Sequence, residues 1–134
     1  MADTVATQVL YDNARTAVMK FTNISDGTGE NQVTKVDVST LSANSTGQAC
    51  TGVTITKIYA MTHGMQVSMY WGADTNKLIL TVPSDIMYTM DFREAPLWNN
   101  AEAAGKTGDI KFLTRDMSAG DEYSIVLEMT KLYA

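Results

Sequence analysis

One cysteine, one histidine and two prolines are all that 134 residues carry. A lone thiol closes no disulfide within the chain, and one Cys with one His is too few for a zinc site built from those ligands. The same scarcity leaves little for thiol or imidazole catalysis. No apolar run approaches the roughly 20 residues of a membrane-spanning helix, and the opening Met-Ala-Asp-Thr has neither the basic nor the apolar stretch of an export signal. Charge of one sign is also short: ten basic residues stand against fifteen acidic, for a net charge of -5. Such a chain has no electrostatic attraction for nucleic acid or an anionic bilayer, so neither is expected as a partner.

What is abundant is the β-branched side chain. Thr (18), Val (10) and Ile (7) together make up a quarter of the chain, and these residues favour the pleated, half-buried surface of a strand. They fall into about nine runs separated by turn residues at intervals of roughly 10 positions. The runs are Val5 to Leu10, Thr16 to Asn23, Val33 to Ser39, Val53 to Met61, Met65 to Trp71, Lys77 to Val82, Ile86 to Phe92, Asp109 to Thr114 and Glu122 to Leu132. The pattern predicts one all-β domain over residues 1–134, an antiparallel sandwich or barrel. Turn spacing leaves jelly-roll-like and immunoglobulin-like strand orders equally open.

Alternation selects the core. Met65, Val67, Met69 and Trp71 share one face of their run, as do Leu78, Leu80 and Val82, and again Tyr123, Ile125, Leu127 and Met129. Ile79, Met87, Val126 and Leu132 fall on the opposite faces, which marks covered faces or an interface. The long segment Arg93 to Gly108 lacks strand character and contains Trp98; a connection of this length is commonly a binding loop or a short surface helix. Residues 1–15 admit two readings: an extended arm that adds a strand to a neighbour, or an edge strand of the domain itself. Val5, Val9, Leu10, Tyr11, Ile79, Met87, Trp98 and Val126 are therefore the candidate interface residues.

The motifs of the chain fall short of catalytic and ligand-binding signatures. Ala104-Gly105-Lys106-Thr107 has the end of a phosphate-binding loop, but Asn100 stands where its first Gly is required, and a strand rather than a helix is expected to follow. Asp26-Gly27-Thr28-Gly29-Glu30 lacks the ligand spacing of a calcium loop and is expected to be a tight hairpin. His63 reads as a turn residue with no Gly-x-Ser-x-Gly elbow to serve. Cys50 reads as a small buried hydrophobe. Of the nine methionines, the seven within strand runs (Met19, Met61, Met65, Met69, Met87, Met90 and Met129) read ordinarily as core filler, and only Met61-Thr62-His63-Gly64-Met65 approaches a thioether site for copper. The Tyr and Trp residues suit a core or a protein interface better than a sugar groove. No catalytic, metal or cofactor residue is assigned.

Ala17 to Glu30 (AVMKFTNISDGTGE), Val33 to Val38 (VTKVDV), Lys106 to Phe112 (KTGDIKF) and Tyr123 to Met129 (YSIVLEM) resemble small virion structural proteins of tailed bacteriophages. The resemblance spans most of the chain and implies a non-enzymatic β-protein, made in the host cytoplasm and carried on the virion. Its commonest role there is capsid decoration, binding the major capsid protein or other virion proteins as a dimer or trimer. A tail or head-to-tail component is the near alternative, and a carbohydrate-binding module the more distant one. The resemblance carries no binding residue with it.

Overall fold

The computed structural model describes residues 3–97 and 107–133. They form nine strands: β1 Thr4–Asp12, β2 Thr16–Ile24, β3 Val33–Val36, β4 Cys50–His63, β5 Gln66–Trp71, β6 Lys77–Val82, β7 Met87–Asp91, β8 Ile110–Arg115 and β9 Glu122–Tyr133. A single 3-10 turn, Val38–Thr40, follows β3. It occupies the end of the run expected to continue as strand to Ser39, because the Asp37 side chain caps it by accepting from Ser39 N at 3.0 Å.

Two antiparallel sheets result, with strand orders β1-β2-β9-β4-β7 and β3-β8-β5-β6. The pairs β2 with β9, β3 with β8, β4 with β7 and β5 with β6 are nested. A single long hairpin rolled so that successive pairs alternate between sheets gives this arrangement, which is the jelly roll. Strand order therefore selects the jelly roll over the immunoglobulin alternative, and β1 is an addition at the edge of the larger sheet. The loop at Asp26 to Glu30 is not the tight hairpin expected from its glycines, since it carries the chain from β2 in one sheet to β3 in the other.

The core lies between the sheets, and alternation identifies most of it. Met65, Val67, Met69 and Trp71 are buried, as are Tyr123, Ile125, Leu127 and Met129. Phe112 of β8 meets Phe21 of β2 and Tyr123 of β9 edge to face, with ring centroids 5.2 and 5.8 Å away. Cys50 is buried at the start of β4. Gly108 (φ 83°) lies against the Thr51 carbonyl, where any Cβ would collide, so only glycine serves there.

Strand β6 departs from expectation. Met69 pairs with Leu80 but Tyr70 pairs with Leu78, so Ile79 is an extra residue in a bulge. The bulge reverses the phase of the strand. Leu78 joins the face of Tyr70 and is exposed instead of buried, Leu80 is half-buried, and Ile79 packs partly against the core rather than offering an open interface.

Two buried ionic clusters complete the interior. Lys35 pairs with Glu30, both almost fully buried, and Glu30 Oε1 also accepts from Tyr123 Oη at 2.7 Å and Asn23 Nδ2 at 2.8 Å. Burial, then the neighbouring Glu30, push the Tyr123 phenol well above its ordinary value. At the other end Lys131, in phase with the apolar face of β9, pairs with Asp12 and donates to the carbonyls of Asn13 (2.6 Å) and Ser42 (3.1 Å).

Candidate functional site

The outer face of the five-stranded sheet should be polar if it met only water. Its β7-β4-β9 end is not. From β4, Tyr59, Met61 and His63 point outward, alternating with inward Ile58, Ala60 and Thr62. Register then sets Met61 against Met87 of β7 and Ser124 of β9, and Tyr59 against Thr89 and Val126. Met87 is 79% exposed and Met61 48%, Tyr59 is exposed, and Val126 is half-buried. A shallow depression of about 480 Å³ lies over Tyr59, Met61, Met87, Tyr88 and Val126.

Charge borders this apolar strip on two sides. At one end Lys57 sits 5.0 Å from the Tyr59 ring centroid, beside Asp91 in the sheet register. Arg93 grips Asp91 through Nε at 3.0 Å and Nη2 at 2.6 Å, and this guanidinium contact brings the Asp91 carboxyl down to about 2. At the other end His63 Nδ1 lies 3.4 Å from Asp85 Oδ1. An apolar centre inside a polar rim is the anatomy of a protein interface.

The His63 end gathers several polar side chains. A second depression, about 460 Å³, brings His63, Asp85, Glu122 and Ser124 onto one surface. Asp85 already accepts from the Gly64 backbone amide at 2.9 Å, a bond that ties the β6-β7 loop to the β4-β5 turn. His63 and Asp85 are largely in solvent, and no hydrogen bond joins His63 to Ser124. His63 is the last residue of β4 rather than a turn residue. Met65 points into the core while Met61 points out, because the turn at Gly64 carries the chain from β4 in one sheet to β5 in the other and so parts the two thioethers of Met61-Thr62-His63-Gly64-Met65. Among the described residues no three His, Cys, Asp or Glu side chains gather as a metal ion would need.

Four other candidate residues lie on β1. Of the two readings open for this segment, an arm or an edge strand, Thr4–Asp12 forms an edge strand hydrogen-bonded along β2. It extends beyond the four-stranded sheet, so both of its faces are open. Val5, Val9, Leu10 and Tyr11 are each about half exposed, and Leu10 sits at the register shift between Val9 and Tyr11. Carboxylates fasten both ends. Asp3 accepts from Asn23 Nδ2 (3.1 Å), Asp26 N (3.1 Å) and Gly29 N (3.2 Å), while Asp12 holds Lys131 and Ser42. Of the residues singled out from sequence, Met87 and Val126 thus share the strip, the β1 group forms a separate edge, Ile79 belongs to neither, and Trp98 lies outside the described residues. Tyr59 and Met61 were missed. Their outward phase, shared with His63, is the signal that was available.

The Asp12 fastening gives β1 a pH dependence. Burial works to raise the Asp12 carboxyl, but hydrogen bonds from Lys131 and Ser42 outweigh it and hold the group below its ordinary 3.8. A carboxyl depressed in the folded state contributes stability that is present above its unfolded value and lost as pH falls through the folded one. Exchange protection of the β1 amides is therefore expected to fall as pH drops below about 4, before that of β9. Asp12→Asn should remove this difference between the strands. Equal protection loss in β1 and β9 across the acid range would refute the coupling.

No family model matches the chain, and no curated protein matches it. Among solved structures it is similar to a cupin superfamily protein of Desulfitobacterium hafniense, at 9% identity, covering 98% of this chain and 81% of that one with a TM-score of 0.38. The jelly-roll assignment rests on the strand order above, and no residue role is transferred from that protein. No helix of the described residues is long and apolar enough to cross a membrane.

Proposed function

We propose that this protein is a non-enzymatic virion structural protein that docks on a phage head shell as a capsid decoration protein, with the major capsid protein as its partner. The observation that carries the reading is the uncharged strip of Tyr59, Met61, Met87 and Val126 on a sheet face that a solitary domain would leave polar. The resemblance of the strand segments to small virion proteins supplies the kind of partner. A decoration protein needs no enclosed pocket, because modest interfaces repeated over a symmetric lattice hold it through multivalency. The jelly roll is compatible with the role and does not decide it, since the same architecture serves lectins and cupins.

The test is binding of the purified chain to undecorated shells. Met87→Asp places a charge at the most exposed apolar side chain of the strip and is expected to weaken shell binding by about tenfold or more, with an unchanged far-ultraviolet spectrum. Cryo-microscopy of the particle should show many copies over the head. A few copies at one vertex would replace decoration with a head-to-tail role, and undiminished binding by the Met87 variant would remove the strip from the interface.

A further inference from the structure

Among the described residues nothing covers the long edge of β1, and its sequence is complementary to itself. Edge strands in solitary domains are commonly blunted by charge, proline or shortness. The far edge of the same sheet, β7, has five residues and ends at Asp91, and β3 has four, including Lys35. By contrast β1 has nine residues, and from Thr4 to Tyr11 it contains no charge and no proline. Its one bulge lies near the end, at Leu10, leaving Thr4 to Val9 in regular register with β2.

The direction of the backbone groups follows from the ladder. Lys131 N donates to Arg15 O and Ser25 N to Asp121 O, so at both ends of β2 the odd-numbered residues turn their backbone groups toward β9. Antiparallel ladders alternate residue by residue. Opposite the odd residues Met19, Phe21 and Asn23 stand Val9, Thr7 and Val5, whose N–H and C=O groups therefore point away from β2, to the free edge. Those three residues are evenly spaced about Thr7.

We propose that two copies of this chain pair antiparallel through β1, with a two-fold axis at Thr7, joining their larger sheets into one continuous sheet. In this register Thr7 meets the partner copy's Thr7, and Val5 meets its Val9. Three such facing pairs exchange two bonds each, about six backbone hydrogen bonds in all. The two Val5-Val9 contacts fall on the inner face of β1, which the four-stranded sheet leaves uncovered. Aliphatic and Thr-Thr cross-strand pairs are favourable, and the Asp3 and Asp12 carboxylates lie at the ends of the strand, outside the hydrogen-bonded pairs. An isologous contact needs one patch that fits itself, and the symmetry of Val5, Thr7 and Val9 provides it. The pairing does not depend on the chain residing on a capsid.

Sedimentation and light scattering on the full chain test it. The wild-type chain is expected to show a concentration-dependent dimer. Thr7→Pro removes an N–H that β2 does not use, so this variant should be monomeric with an unchanged β spectrum and melting curve. Should it fold poorly, the Val5→Lys, Val9→Lys double variant, which sets lysine against lysine across the axis, should give the same monomer. Oxidation fixes the register. Thr7→Cys should form an intermolecular disulfide, because facing residues of such a pair have Cα atoms about 5.5 Å apart. Val5→Cys should not, since the two copies of Val5 lie about 13 Å apart along the strands; the native Cys50 is buried and does not compete. A wild-type chain that stays monomeric into the millimolar range overturns the proposal, even if Thr7→Pro then loses shell binding, which would give the edge to a shell strand instead. A dimer indifferent to both edge variants overturns it equally.

Discussion

Lys35→Met is expected to destabilise the fold by about 3–5 kcal/mol, the cost of stranding one member of a buried ion pair. Glu30 cannot escape to water when its partner is removed. Its backbone is tied to β8, where Glu30 N donates to Thr114 Oγ1 at 2.7 Å and Thr114 N donates to Glu30 O at 3.0 Å, and its side chain is buried. Tyr123 and Asn23 hydrogen-bond one carboxylate oxygen but cannot balance the charge. The second substitution separates charge from packing. Adding Glu30→Gln to Lys35→Met leaves a carbonyl to accept from Tyr123 and Asn23 and removes the unpaired charge, so more than half of the lost stability should return. Urea melts of both variants decide it: a double variant no more stable than the single one would show that the loss does not come from an unpaired Glu30 charge.

That cluster marks where the sequence stops being legible. Strand positions and the two clean core faces could be read because burial on one side imposes a period of two, visible in Met65 to Trp71 and Tyr123 to Met129. A bulge breaks that rule with a single residue. In β3 the register shifts between Thr34 and Val36, so Lys35 turns inward beside Val36. In β6 the bulge at Ile79 sends Leu78 out. Neither shift has a local sequence mark, because it is set by how two sheets fit each other. Glu30 and Lys35 are close in sequence, yet nothing in that spacing shows that both are buried or that Tyr123, from the last strand, completes the cluster. Lys131 was more accessible to reasoning: it follows Ile125, Leu127 and Met129 in phase, so a cation at an apolar position already called for a carboxylate, and Asp12 supplies it.

The candidate surfaces were half legible for the same reason. Outward-phase apolar residues are recognisable within one strand, as Met87 and Val126 were. The strip itself exists only through register, which lays Met61 beside Met87 and Tyr59 beside Val126 across three strands distant in sequence. Reading methionine as core filler hid Met61. The rule that methionine packs inside holds for Met65, Met69 and Met129, and it fails where the same flexible side chain lies on a face available to a partner. The edge strand was also visible as composition, but its self-complementarity depends on which backbone groups β2 leaves free.

Phe112→Ala should be the other large loss, about 3–5 kcal/mol, or a fall in melting temperature of roughly 10–20 °C for a domain of this size. Phe112 is fully buried in β8, and its ring bridges the sheets by meeting Phe21 and Tyr123 edge to face. Truncation removes both aromatic contacts and leaves a void that neighbours on stiff strands can only partly fill. The consequence reaches the ionic cluster, because the Tyr123 ring that packs on Phe112 carries the hydroxyl that donates to Glu30. Loss of the near-ultraviolet signal of tyrosine should therefore accompany the lower melting point, while Phe112→Leu, which keeps most of the apolar volume, should restore over half of the stability. Met87→Ala, at the exposed strip, provides the contrast and is expected to stay within about 0.5 kcal/mol of wild type. If Phe112→Ala melted no earlier than Met87→Ala, the two sheets would not be held together at this contact, and the assignment of Phe112 as their bridge would be wrong.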